Sequence, residues 1–479
     1  MASLKEKTAK GLLWGGIGNG GMQLLNLFFG IFLARILDST DYGMVAVLTI
    51  FSAIAGVFCD SGFSLAIVNK KTVSRDDYNS VFWFSFGMGA TLYAILYFCA
   101  PFIARFYGTP ELESLARFQF LSFVFSSLGT AHSAYLFRNI MVKQRSIITM
   151  TAMVISGTVG LVCALSGMRY WGIATQTVTY TLFTTILLWA FSPFRPQLKF
   201  KVGPLKEMLP FSSKMLLTSA FAQINLNVFS ALLGRFYTVT TAGFYSQGNK
   251  WVTMGYATIN GTVNGIGQPV FREAGGELSR LKNVFRKIMR FTAFVSFPAM
   301  LGLAIVSKEL IVIAVSEKWL PSVPIMQILC VWGAFLPIST LYYNLMNSLG
   351  RPNIYMWNTI CLGIVQIACL VGSAPYGLTT MLVIYTAINI LWLFIWHYFA
   401  HKYIGITLLE TLKDITPYIA ISALIMILTA YATASIGNIY VSLFVKIFMA
   451  AALYAGLMWA LDSKVFKESI CYLLKKKVD

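Results

Sequence analysis

Fourteen apolar runs follow one another along the chain, near 11–36, 43–60, 79–104, 116–136, 147–167, 171–193, 209–234, 244–270, 288–315, 325–349, 355–373, 377–400, 415–436 and 439–461. About 20 apolar residues at 1.5 Å per residue cross a ~30 Å hydrocarbon core, and these runs are of that order. Inside lipid the backbone has no water to bond with, so each run is expected to be a helix. The chain therefore reads as an all-α polytopic membrane protein with about fourteen transmembrane helices. Hydrophobic residues make up 57% of it and charged residues only 11%, which fits that class. The net charge of +19 does not point to nucleic acid, because the basic residues sit between apolar runs and do not coat a polar surface. Lys5, Lys7 and Lys10 precede the first run as in a signal peptide. That run continues to about Ile36 without an A-x-A site, so it is kept as the first span.

An even number of spans puts both termini on one side. Placing them in the cytoplasm gives most of the 37 Lys and Arg to cytoplasmic segments, as the positive-inside rule requires. Basic connections include Lys70, Lys71 and Arg75, then Arg138, Lys143 and Arg145, then Arg195, Lys199, Lys201 and Lys206. The segment 272–290 is expected as an amphipathic helix at the headgroups, with Leu281, Val284, Phe285 and Ile288 on one face. External loops are short, and no G-x-x-x-x-G-K-S/T loop is present, so direct ATP drive by this chain is not expected. The seven cysteines show neither paired nor metal-type spacing and read as small hydrophobes.

One stretch is too polar for its surroundings. Between Pro210 and Pro269 two spans carry Lys214, Gln223, Asn225, Asn227, Gln247, Asn249, Lys250, Asn260, Asn264 and Gln268. A Lys at mid-span costs roughly 2.5–3.5 kcal/mol, so such residues normally face a bundle interior or a wet cavity. Gln223 and Asn227 are four apart, as are Asn260, Asn264 and Gln268, so each set shares a helix face. The expectation is a polar, net cationic cavity.

Lys250 is the first candidate for its wall, the alternative being that it snorkels to the surface. Lys214 lies nearer the headgroups. Arg35 and Arg235 end their spans and either reach the cavity or anchor the helices. Asn19, Gln23 and Asn26 follow i, i+4, i+7 spacing on the first span. They suit a cavity wall or interhelical bonds of about 0.6 kcal/mol each. Lys446 is expected to snorkel, with a contact to substrate as the alternative, and Asp60 to cap a loop, with a proton site as the alternative. Gly11, Gly15, Gly16 and Gly20, like Gly261 and Gly265, have the small-x-x-x-small spacing of close helix packing. Pro298 and Pro337 should kink their helices. His397 and His401 are four apart without a carboxylate nearby, a poor metal site. No cofactor is expected, and no side-chain set is arranged for covalent catalysis, so the chain does not read as an enzyme.

The chain looks duplicated. LARILDSTDYG (33–43) and LGRFYTVTTAG (233–243) each end a span with Arg, followed by Gly eight residues later, so that Arg35 matches Arg235 and Gly43 matches Gly243. These segments, with AGFYSQGNKW (242–251), SEKWLPSVPIMQIL (316–329) and NSLGRPN (347–353), resemble the pattern of bacterial polysaccharide-export flippases. These are the Wzx-type translocases of O-antigen, capsule and exopolysaccharide repeat units, in the MOP superfamily with the lipid II flippase and the MATE exporters. Asp38-Ser39 stands where that pattern usually has Gly-Pro.

The resemblance implies a V-shaped pair of six-helix bundles, an N-lobe over 1–208 and a C-lobe over 209–404. Two further helices and a basic tail would occupy 405–479. It also implies a multi-pass protein of the bacterial cytoplasmic (inner) membrane that flips undecaprenyl-diphosphate-linked oligosaccharide from the cytoplasmic to the periplasmic leaflet. A diphosphate in a cavity needs cationic partners, and Lys supplies a point charge. A monomer is expected from the duplication, and polysaccharide polymerase machinery is the protein partner to look for. A MATE-like cation-coupled exporter of small molecules is the alternative, although it would need acids where these spans carry Lys. A membrane glycosyltransferase or polymerase would need carboxylates and a large external loop.

Overall fold

The computed structural model describes residues 4–468 apart from 61, 71, 276 and 464, and for residues 4–13, 65, 69, 211, 214 and 266 it describes the backbone alone. Every regular element among the described residues is helical. The chain forms two compact units, Met1–Ser246 and Gln247–Asp479.

The first unit contains α1 (Leu4–Ile36), α2 (Ser39–Asp60), the short α3 (Phe63–Asn69), α4 (Arg75–Tyr107), α5 (Leu112–Gln119), α6 (Leu121–Arg138), α7 (Val142–Leu165), α8 (Trp171–Phe191), α9 (Val202–Phe236) and the start of α10 (Val239–Ala274). Here α7 packs on α8 and α1, α4 on α6, and α2 on α9. Small residues set the α1–α7 approach, but at Gly18 and Gly21, where a Cβ would run into Ser146 and Met150. Gly16 and Gly20 face open space, as do Gly261 and Gly265, whereas Gly15 faces Val142 of α7 at 3.8 Å and the surroundings of Gly11 lie outside the described residues. Turn chemistry delimits the helices. Ser74 and Asp77 form a reciprocal capping box that starts α4, and Gly108 closes it in the left-handed region at φ 66°. Lys70 bonds Glu207 at 2.8 Å and Asp77 at 2.9 Å, and these bonds hold its ammonium above the usual lysine pKa.

The second unit holds the rest of α10, then α11 (Leu278–Ile305), α12 (Ser307–Val315), α13 (Ser322–Ser348), α14 (Pro352–Ser373), α15 (Leu378–Ile404), α16 (Leu408–Ala432) and α17 (Ile439–Ala460). α11 packs on α13 and α16, and α16 on α17. The segment expected at the headgroups runs over the end of α10 and the first turns of α11. Its Leu281 and Phe285 are wholly buried, so protein covers that face. Its basic face is also used: Arg286 forks onto Asp414 at 2.7 and 3.1 Å, and Lys282 meets Glu410 at 2.8 Å.

Lys446 does not snorkel. Its ammonium pairs with the buried Glu309 carboxylate of α12 and reaches the Ile305 carbonyl at 3.2 Å, while the Ser442 hydroxyl donates to Glu309 at 2.8 Å. Removing one partner of a buried pair leaves a bare charge, a loss of roughly 3–5 kcal/mol. Lys446→Ala should therefore lower the unfolding temperature in detergent sharply. The apolar double variant Lys446→Met/Glu309→Leu should recover most of it, measured by the same melt.

Among the described residues twelve helical stretches are long and apolar enough to cross a membrane, and this is a multi-pass membrane protein. The other two expected spans fall on α8 and α10, which are also of crossing length. α8 carries six threonines and α10 a series of amides among their apolar residues. Two expected spans are interrupted: 116–136 runs across the break at Phe120, and 288–315 across the break at Val306.

The first turns of α2 and α10 cross backbone to backbone. A Cβ on Gly43 would overlap the Val239 carbonyl, and one on Gly243 would overlap the Ser39 carbonyl. Beside them the Thr40 and Thr240 hydroxyls lie 3.0 Å apart. The matched residues are separated by 200 positions throughout, so the crossing is reciprocal. Only glycine permits so close an approach, and each copy supplies one.

Candidate functional site

The polar candidates distribute over three helices. On α1, Asn19 and Gln23 are exposed and Asn26 is half-buried. At 3.6 residues per turn they lie roughly opposite the exposed Ile17, Leu24 and Phe28. The helix thus shows one amide face and one apolar face to its surroundings, with the packed Gly18–Phe29 face between. Asn19, Gln23 and Asn26 have no bond to a neighbouring helix among the described residues, which favours a solvent-lined wall over interhelical bonding.

On α9, Asn227 donates to the Gln223 carbonyl at 2.9 Å and to its side-chain oxygen at 3.4 Å. Gln223 borders a cavity of about 330 Å³ that Ser52, Asp60 and Ser219 also line. Asp60 ends α2 and is reached by the Ser64 hydroxyl and the Gly62 amide, as a cap is, yet it also borders that space. Gly62 sits at φ 70°, and a Cβ there would press on the Ser212 carbonyl at 2.8 Å. Lys214 lies on α9 with its side chain outside the described residues. Arg35 ends α1 exposed. Arg235 ends α9 exposed, with its guanidinium 5.1 Å from the Phe106 ring centroid, an anchoring contact.

On α10, within the second unit, Gln247 is buried and its side-chain oxygen has no hydrogen-bond partner among the described residues. Asn260 likewise leaves its oxygen unpaired, whereas Asn264 accepts from Asn344 at 3.1 Å. Lys250 is half-buried and forms no ion pair or hydrogen bond among the described residues. The contrast with Lys446, Arg286 and Lys282 is the informative point: those cations of the second unit have carboxylates, and Lys250 does not.

The structure joins Gln223 to Asn227, and Asn264 to Asn344. Sequence reading missed Ser52, Ser219 and Asn344, single polar residues in apolar runs with no periodicity to flag them. His397 and His401 have other uses: the His397 ring lies 3.3 Å from the Thr411 hydroxyl, and the His401 ring 3.0 Å from the Ile406 carbonyl.

The pattern shared by polysaccharide biosynthesis proteins matches residues 32–324, more than half of the chain. The chain belongs to this family. Among relatives of the polysaccharide biosynthesis protein is the lipopolysaccharide biosynthesis protein WzxC of Escherichia coli K12, 24% identical over 358 residues, or 74% of this chain and 72% of WzxC. Among solved structures, the lipid II flippase MurJ in an inward closed conformation superposes with a TM-score of 0.75 at 15% identity, over 97% of this chain and 100% of MurJ. An inward-facing multidrug resistance MATE family transporter of the MOP superfamily gives 0.64 at 15% identity, over 80% of this chain and 94% of its own. At such identities the likeness shows the fold alone, an all-helical one shared with MurJ and the MATE transporter.

Proposed function

We propose that this chain flips an undecaprenyl-diphosphate-linked oligosaccharide from the cytoplasmic to the periplasmic leaflet by alternating access. The observation that carries this reading is Lys250, a cation on a spanning helix with no carboxylate to neutralise it among the described residues. An unpaired ammonium in a low-dielectric setting is stabilised by an anion that arrives and leaves, and a lipid diphosphate is such an anion. The amide faces of α1, α9 and α10 supply donors and acceptors for the sugars, and the isoprenoid tail stays among acyl chains. The reciprocal crossing of Gly43 and Gly243 supports two copies of one topology, 1–208 and 209–404, with 405–479 appended. The duplication supports a monomer. The basic connections around Lys70, Arg138 and Lys201 support cytoplasmic termini in the inner membrane, with Arg35 and Arg235 at the periplasmic end. On this reading the chain transports and does not catalyse, and a polysaccharide polymerase is the machinery that takes over its product.

The test is reconstitution. Liposomes holding the purified protein should expose lipid-linked oligosaccharide to a membrane-impermeant periodate or lectin faster than empty liposomes do. Equal rates would remove the flippase reading, and efflux of cationic dyes in the same vesicles would favour the exporter.

A further inference from the structure

A second cavity, of about 430 Å³, lies in the first unit at the end where α1 gives way to α2. Three connections build it. Thr40 and Met44 come from the start of α2, Thr109 and Glu111 from the turn before α5, Arg169 and Tyr170 from the turn between α7 and α8, and Trp171 opens α8. Its chemistry is unlike that of the spanning helices. Tyr170 and Trp171 stand side by side, half-buried, with ring centroids 6.0 Å apart, and Phe118 backs the indole at 5.4 Å.

Arg169 is held at φ 51°, a left-handed conformation that a long side chain rarely adopts. Its Nε lies 3.3 Å from a carboxylate oxygen of Asp41, which is only 2% exposed. That contact orients the guanidinium, while the side chain as a whole stays 62% exposed, so its terminal N–H groups remain open. Glu111, which lines the same cavity, makes no ion pair or side-chain hydrogen bond among the described residues. Opposite charges thus line one cavity without closing on each other. Strained backbone of this kind persists where surrounding structure enforces it, and it gathers at binding sites.

Flat aromatic faces, a forked donor, a carboxylate acceptor and a hydroxyl at Thr40 together match a sugar ring. The apolar face of the ring stacks on the aromatic pair, and its hydroxyls bond the rim. We infer that this pocket is a saccharide subsite at the mouth of the first unit, taking a sugar residue of the cargo as it leaves. The inference rests on the flippase reading, which places this end in the periplasm. The Arg169 fork favours a residue bearing a carboxylate, such as a uronic acid.

Two probes separate this inference from the reading beneath it. The protein in nanodiscs is titrated with oligosaccharide released by mild acid from the lipid-linked pool of the cells that make it. It is also titrated with undecaprenyl diphosphate carrying no sugar. Saturation-transfer NMR should show the free oligosaccharide bound to the wild type, with binding weakened roughly tenfold in both Glu111→Gln and Arg169→Asn. Asn tolerates the left-handed backbone, Asp41 keeps the Asp38 amide at 3.1 Å when Arg169 is replaced, and Glu111 is exposed, so both variants should fold. Undecaprenyl diphosphate should bind all three proteins alike. No binding of oligosaccharide to the wild type, or equal binding to the wild type and both variants, would overturn the subsite. Failure of undecaprenyl diphosphate to bind any of them would instead count against the flippase reading.

Discussion

Lys250→Ala should abolish surface glycan and load the cytoplasmic leaflet with lipid-linked repeat units, at an unchanged level of folded protein. A charge-assisted contact to phosphate is worth roughly 2–3 kcal/mol, or about 30- to 150-fold in the affinity that drives the first half of the cycle. Folding should not suffer, because Lys250 holds no partner that its loss would strand. Replacing an unneutralised ammonium on a spanning helix with Ala should leave the protein level with, or ahead of, the wild type in a thermal melt. Lys250→Arg should retain part of the export. The measurement is surface glycan against the lipid-linked pool in cells depleted of the native protein. Full export from Lys250→Ala at normal abundance would take this residue out of the mechanism.

The second large effect is expected at the crossing of α2 and α10. Thr40 and Thr240 present their hydroxyls to each other at 3.0 Å, so cysteines at the two positions lie within reach of a disulfide. Oxidation of Thr40→Cys/Thr240→Cys should halt export, and a membrane-permeant reductant should restore it, if these helix ends must part in each cycle. Gly43→Val should act in the same place by another route. Its side chain would drive into the Val239 carbonyl, and backbone cannot yield as a flexible side chain can. Overpacking of this type costs roughly 1–3 kcal/mol and pushes the two ends apart. Export at the normal rate from fully crosslinked protein would show that the ends stay together throughout transport.

Much of the fold was legible because lipid leaves the backbone few choices. An apolar run of sufficient length is a helix there, whatever its neighbours. The breaks at Phe120 and Val306 were not legible, because neither carries Gly or Pro in the place where the helix stops. The crossing at Gly43 and Gly243 was half visible: the repeat announced matched residues, but nothing in a linear chain shows that each lies against the other's neighbour. Partners of buried charge were the hardest part. Lys446 and Glu309 are 137 positions apart, and Arg286 and Asp414 are 128 apart, so only packing reveals that they neutralise one another. Lys250 was visible from the start as a charge out of place. Its lack of a carboxylate among the described residues is a property of the packing, which linear sequence does not display.

The ion pairs of α16 and α17 with α11 and α12 bear on how short the protein can be. A shortened chain ending after α15 would leave Arg286, Lys282 and Glu309 bare on surfaces built to be covered. Such a remnant would be recognised by quality-control proteases as damaged, not tolerated as a leaner carrier. The last two helices are therefore no optional accessory, and a gene truncated at that point should behave as a null allele.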